Sequence, residues 1–307
     1  MTVEVYRGID ELRSALASVR SAGRPIGLVP TMGALHRGHG SLISRSAAEL
    51  RPENGLTVVS VFVNPIQFED RTDLERYPRT LDADRRLCEE AGADIIFAPT
   101  AREIYPDGFS SFVDMEGEFT QKLCGRARPG HFRGVLTVVC KLFHIVGPTR
   151  AYFGEKDAQQ LFLLKKMAYD LDMDIRIVGC PTVRETDGLA LSSRNARLAP
   201  QERAAAGCLI RALKEGQSAS EDRLPGTAGT ARAERAASVR ASLIAAVEGE
   251  PSARLDYAEL LDAETFGPVT DETGRVLLAV AAFFGETRLI DNVIADVGSG
   301  GKRDESR

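Results

Sequence analysis

PTMGALHRGH, residues 30–39, closes the short apolar run IGLVP (26–30) and leads into residues 39–50, which have a helical pattern. A strand passing through a Gly-bearing turn into a helix is the opening unit of a doubly wound α/β sheet. Working outward, further β-rich runs stand at 56–63 (LTVVSVFV), 94–97 (DIIF), 151–153 (AYF) and 174–178 (DIRIV), at intervals that admit a helix between each pair. Helices are expected at 9–21, 39–50, 80–91, 132–146 and 157–171. The fourth, FRGVLTVVCKLFHIV, is apolar on nearly all sides, as a buried helix is. The alternation predicts a Rossmann-like, doubly wound parallel sheet over residues 1–185. Ligands of such sheets lie beyond the carboxyl ends of the strands, which points to the loops after residues 30, 63 and 153.

Beyond about residue 185 the texture changes. Pro200 opens an Ala-rich helix to about Gly216, QSASEDRLPGTAGT (217–230) reads as a polar loop, and a second helix is expected over 231–248. LDYAEL (255–260), RVLLAVAA (275–282) and TRLIDNV (287–293) read as three strands on short connections. Residues 186–296 are therefore expected to form a smaller α+β domain with an antiparallel sheet, followed by a disordered tail over 297–307.

The 307 residues carry a formal net charge of -5, with Lys and Arg spread along the chain, which argues against a nucleic-acid partner. No apolar stretch is long enough to span a bilayer, and MTVEVYRGIDELRSAL lacks the order of a secretory signal, so a cytoplasmic location is expected. Five scattered cysteines without a CxxC fit reduced packing residues better than a disulfide frame or zinc site.

Five segments carry candidate chemistry. His36 and His39 form an HxGH pattern where a strand gives way to a helix; imidazoles, free helix N–H groups and Gly38 together suit a phosphate, although a four-residue pattern also arises by chance or as a metal pair. His131 in CGRARPGHFRG, beside Arg126, Arg128 and Arg133, reads equally as an anion-handling loop or a solvated basic one. FGEKDAQQL (153–161) sets Lys156, Asp157, Gln159 and Gln160 after a strand: lysine can neutralise phosphate, and glutamine amides suit a hydroxy acid. FVNPIQF (62–68) directs Asn64 and Gln67 to the same cleft. DGLALSSRN (187–195) contains Ser192, Ser193 and Arg194, which can clamp a triphosphate or form an ordinary turn.

Together with YPRT, and in this order and spacing, these segments resemble the pantothenate synthetase (pantoate:β-alanine ligase) family of the nucleotidyltransferase-like superfamily, which includes class I aminoacyl-tRNA synthetases. The resemblance runs from about residue 25 to 200 and weakly to about 295. It implies a Rossmann-like domain with a C-terminal lid, a homodimer, and Mg2+-ATP chemistry. Pantoate would attack the α-phosphorus, and β-alanine would then displace AMP. Residue by residue, it implies that Pro30, Thr31 and Met32 line the nucleotide and pantoate site and that His36 and His39 contact ATP phosphates. Gly154, Lys156 and Asp157 would meet phosphates and ribose, and Ser192, Ser193 and Arg194 would form the phosphate loop. Gln67 and Gln160, with Met32 and Asn64, would hold pantoate and β-alanine, and Asp84 would help to hold magnesium. Ala83 stands where some members carry a second acid near the metal, and Ala158 where an aromatic is common. Another HxGH adenylyltransferase, which retains AMP on its acceptor, is the competing expectation; the paired glutamines argue against it.

Overall fold

The computed structural model describes residues 2–68 and 71–298. The tail expected from residue 297 lies, from 299 onward, outside the described residues; Val297 itself is packed in a core. In chain order the strands are β1 Glu4–Tyr6, β2 Ile26–Thr31, β3 Leu56–Val61, β4 Ile95–Phe97, β5 Arg150–Gly154, β6 Arg176–Cys180, β7 Ala253–Asp262, β8 Arg275–Phe284 and β9 Thr287–Asp296. The α-helices are α1 Ile9–Ser21, α2 Arg37–Leu50, α3 Arg71–Glu75, α4 Leu81–Ala91, α5 Ala101–Ile104, α6 Leu123–Ala127, α7 His131–Val146, α8 Ala158–Asp170, α9 Pro200–Ala205, α10 Cys208–Arg223 and α11 Gly229–Glu248. The chain divides into two compact units, one of residues 1–120 and 124–183, the other of 121–123 and 184–307.

The first unit is built on a parallel sheet in the order β1-β4-β3-β2-β5-β6. Counted from β2, the order 3-2-1-4-5 is that of the first five strands of the doubly wound dinucleotide-binding sheet, and the direction of winding reverses between β2 and β5. Period-two alternation sorts the strand residues into two cores. Ile26, Leu28, Val58, Ile95, Phe97, Ala151 and Phe153 face α1, α7 and α8, whereas Val29, Val59, Ile96 and Tyr152 face α2 and α4. Both faces are covered, so the strands read as continuous apolar runs rather than alternating ones. The short edge strand β1 is absent from the sequence reading, because three residues carry too little periodicity to be seen.

Gly27 sets the height of α2 on the sheet. A Cβ there would collide with Ser46 Oγ and Leu50 Cδ1 of α2 and come within 3.2 Å of Tyr152. The helix thus lies directly on the β2 backbone, and Ser46 Oγ is paired with Thr57 Oγ1 of β3 at 2.8 Å.

In the second unit, α10 and α11 pack with the antiparallel sheet β7-β8-β9 around Leu209, Leu213, Val239, Leu243, Leu278 and Val280. The polar loop expected from residue 217 begins later, since α10 continues to Arg223. Gly216 and Ser220 are buried in this helix: a Cβ on Gly216 would sit 2.7 Å from Leu278, and the Ser220 hydroxyl donates to the Gly216 carbonyl at 2.8 Å. Their small size serves packing on the sheet rather than a turn.

Gly27→Ala is expected to destabilise the protein by about 1–3 kcal/mol, the cost of overpacking a closed contact. Urea unfolding followed by circular dichroism measures it; an unchanged midpoint would show that α2 has room to move.

Candidate active site

The first turn of α2 carries the HxGH histidines at the carboxyl end of β2, beside the reversal point of the sheet. His36 is the N-cap residue, and its Nδ1 accepts the Gly38 N–H at 3.1 Å. His39 Nδ1 in turn accepts the His36 N–H at 3.3 Å, and the two rings lie 4.1 Å apart. A backbone N–H can only donate, so in each neutral ring the proton resides on Nε2, and each imidazole is a hydrogen-bond donor through that atom. Burial, the neighbouring His36 and the charge of Lys156 together push the pKa of His39 down to about 3. His39 is therefore a neutral donor, held at the positive end of a helix where a further positive charge is disfavoured. Lys156 lies in the Glu155–Asp157 turn after β5, the strand paired with β2, so its charge acts on His39 from the other side of the reversal point.

The turn between β2 and α2 is held by a carboxylate. Gly33 and Ala34 both have left-handed backbone, with φ of 81° and 51°. Asp84, which is 1% exposed, accepts the Ala34 N–H on Oδ2 at 3.2 Å and the Leu35 N–H on Oδ1 at 2.8 Å. The Thr80 hydroxyl also donates to Oδ1, at 3.2 Å. The family resemblance implies that Asp84 helps to hold magnesium; here each of its oxygens accepts an N–H from the backbone of the turn. Among the described residues no group of three or more His, Cys, Asp or Glu is arranged to hold a metal ion. Thr31 is similarly inward-facing: its hydroxyl donates to the Ser60 carbonyl at 2.7 Å and accepts the Gly33 N–H at 3.2 Å.

Gln67, in the turn after β3, meets Met32 from the turn after β2, its Nε2 donating to Met32 Sδ at 3.0 Å. Its backbone carbonyl accepts from Arg128 at 3.3 Å and His131 Nδ1 at 3.0 Å, and Arg128 also contacts His131 Nε2 at 3.1 Å. His131 is buried at the start of α7 and clamps this turn, which sets aside the solvated reading for this residue; with Arg133 it also borders the cavity described next. Asn64, expected at the substrate, is 1% exposed and bonded within the protein. Gln67, Phe68, Phe112, Arg133 and Gly134 help to line a cavity of about 260 Å³.

Gln159 and Gln160 part company at the start of α8. Gln159 is buried, donating to the Phe119 carbonyl at 2.8 Å and accepting the Gly125 N–H at 3.3 Å, whereas Gln160 remains half-buried. Pro30 is the penultimate residue of β2, Gly154 ends β5, Lys156 is half-buried and Asp157 is exposed. Ser192, Ser193 and Arg194 belong to the second unit, where the Ser192 hydroxyl caps a short 3-10 turn by accepting the Arg194 N–H at 3.3 Å.

A family model described as pantoate-beta-alanine ligase matches residues 4–294. The chain belongs to this family. It is 48% identical over 295 residues to the pantothenate synthetase of Acetivibrio thermocellus, covering 96% of this chain and all of that protein. A solved pantothenate synthetase of Thermus thermophilus superposes with a TM-score of 0.85 at 44% identity, over 96% of this chain and all of the other. The pantoate-beta-alanine ligase of Francisella tularensis, solved in complex with beta-gamma ATP and beta-alanine, has a TM-score of 0.73 at 33% identity, over 95% and 97% of the two chains. Membership of the pantoate-beta-alanine ligase family accounts for the order of the six motifs. The anchoring of Asp84, the clamp by His131 and the involvement of Tyr105, described below, lie outside what the motifs reveal, since each depends on partners distant in the chain.

Asp84→Asn turns an NH2 group toward a backbone N–H in this family member, and is expected to cost about 1–3 kcal/mol of stability while weakening ATP use. The magnesium concentration giving half-maximal rate is expected to stay the same; a severalfold increase in that requirement would restore a metal role. A second expectation concerns His39. Its folded pKa lies below the ordinary 6.5, so the unfolded chain takes up a proton first as pH falls, and stability is lost from about pH 6.5 downward toward 3. Nitrogen NMR at pH 5 should find the His39 ring neutral and protonated on Nε2, and a ring that charges near pH 6 would contradict the assignment.

Proposed function

We propose that this chain condenses pantoate with β-alanine to form pantothenate, using ATP and a pantoyl-adenylate intermediate. The pantoate carboxylate oxygen attacks the α-phosphorus and pyrophosphate leaves. The β-alanine amine then attacks the acyl carbon, the acyl–phosphate bond breaks with release of AMP, and the amine gives up a proton. The observation that carries this reading is the placement of two different sets of groups on the turns at the carboxyl ends of the neighbouring strands β2, β3 and β5. His36, His39 and Lys156 provide donors and positive charge, and Gln67 and Met32 provide an amide beside an apolar surface.

The division of labour follows from the chemistry. Negative charge develops on phosphate oxygens as pyrophosphate departs, and pre-placed N–H donors with a lysine stabilise it without reorganising. A neutral His39 can donate from Nε2 without acting as an acid. Gln67 and Gln160 recognise the hydroxyl and carboxylate of pantoate, and the backbone of Pro30, Thr31 and Met32 borders the substrates. Gly154 and Asp157 serve the nucleotide, and Ser192, Ser193 and Arg194 serve the triphosphate. Magnesium enters this scheme with the ATP phosphates, a mode of binding that needs few protein carboxylates. The further reading of a cytoplasmic homodimer is supported by the family resemblance, and light scattering tests the dimer.

The decisive assay is exchange of labelled pyrophosphate into ATP. It is expected to require pantoate, with AMP released only when β-alanine is added. An adenylyltransferase that keeps AMP on its acceptor would release none. Lys156→Ala is expected to reduce the exchange about a hundredfold or more while the protein stays folded; near-normal exchange would remove Lys156 from the chemistry.

A further inference from the structure

Behind Gln67 stands a chain of hydrogen bonds whose direction can be read without ambiguity. The carbonyl of Gly134 can only accept, so the Asn64 side chain must direct its NH2 toward it, at 3.1 Å. The other proton of that NH2 goes to Gln67 Oε1 at 2.9 Å. The Asn64 Oδ1 is then left as an acceptor and is met by the Tyr105 hydroxyl at 2.8 Å. With Oε1 engaged, Gln67 presents its own NH2 on the other side, where one proton meets Met32 Sδ. The anchor is rigid: a Cβ on Gly134 would lie 2.6 Å from the Ile66 carbonyl and 2.8 Å from the Gln67 backbone, so α7 and the Gln67 turn are in direct contact.

We propose that Tyr105 is a positioning residue which, through Asn64, fixes the Gln67 carboxamide with its N–H side toward the substrate. The site thereby selects an oxygen acceptor on the hydroxy acid at this point and discriminates against a donor. The inference rests on the reading of Gln67 as a pantoate contact. An unsupported glutamine amide can turn over, exchanging oxygen for nitrogen at little cost in shape; the Tyr105–Asn64 pair removes that freedom. Tyr105 is suited to the task. Its ring packs against Phe62 and Phe109, at 6.1 and 4.9 Å between centroids, and burial pushes its pKa above the ordinary value, so the hydroxyl stays a donor.

The test compares Tyr105→Phe, which keeps the ring and removes the hydroxyl, with the parent protein. The KM for pantoate is expected to rise about fivefold, the effect of one hydrogen bond, while kcat and the KM for ATP change by less than about twofold. Asn64→Asp, which places an oxygen against Gln67 Oε1 and reverses the demand on the amide, should raise the pantoate KM further, again without affecting ATP. Should Tyr105→Phe fold poorly, Asn64→Asp still tests the link through which Tyr105 acts, and an unchanged pantoate KM in it overturns the proposal. Calorimetric titration of pantoate in the presence of a non-hydrolysable ATP analogue extends the test to Gln67→Ala, where Tyr105→Phe should have no additional effect. A folded Tyr105→Phe with an unchanged pantoate KM overturns the proposal while leaving the Gln67 contact standing. A fivefold loss that persists in the Gln67→Ala background likewise overturns it. Weakened ATP binding with unchanged pantoate binding in Gln67→Ala itself defeats the underlying assignment, and the proposal with it.

Discussion

The contact on which the site depends is the descent of α2 onto the bare backbone at Gly27. With no side chain in the way, Ser46 and Leu50 settle against β2, and the helix axis is fixed in height and direction. Everything at its amino end inherits that placement, because the histidines sit on the first turn of a rigid rod whose far end is locked. The left-handed residues Gly33 and Ala34 then bridge the short gap between strand end and helix start; Thr31 accepts the Gly33 N–H, and Asp84 holds Ala34 and Leu35 from α4. A non-glycine residue in left-handed backbone costs on the order of 1–2 kcal/mol, so the conformation of Ala34 persists because two carboxylate bonds and the flanking elements over-determine it.

Much of this was legible in the sequence. The strands over 26–30, 56–63 and 151–153 and the helices over 9–21 and 132–146 carry their own periodicity, and parallel strands buried on both faces leave unbroken apolar runs. The motifs at their carboxyl ends were equally visible, since a polar or glycine-rich segment after such a run has few structural uses. Partnership was what the sequence concealed. Asp84 and Asn64 look like ligand residues because a carboxylate and an amide near a cleft usually are; whether they face the cleft or the backbone behind it depends on Leu35, Gly134 and Tyr105, which lie 41 to 70 positions away in the chain. Gly216 and Ser220 show the same limit in reverse, since turn-forming composition was used for close packing on Leu278.

The first unit thus has two tiers. The candidate site residues stand in front, and buried polar groups brace two of their turns from behind: Asp84 behind the HxGH turn, and Asn64 and His131 behind Gln67. Such tiers explain why side chains with almost no exposure can matter to chemistry that they never reach, and why their loss leaves a buried donor or acceptor unmet. The second unit holds its own phosphate candidates on a similarly braced base. Arg184 makes a two-pronged bond to the buried Asp291, at 2.7 and 3.0 Å, and donates to the Gly188 carbonyl at 3.0 Å, tying the start of the Asp187–Asn195 segment to β9.

The neutrality of His39 bears on the thermodynamics of ligand uptake. A site that meets polyanions with an imidazolium must draw a proton from solution whenever its ring is discharged at rest, and its affinity then varies with pH and its heat with the buffer. Here an arriving phosphate would have to lift the pKa of this ring across the whole interval from about 3 to neutrality before any proton followed it in. A phosphate taken up at this imidazole would therefore bring little proton with it, and its binding heat would carry little contribution from buffer ionisation on that account.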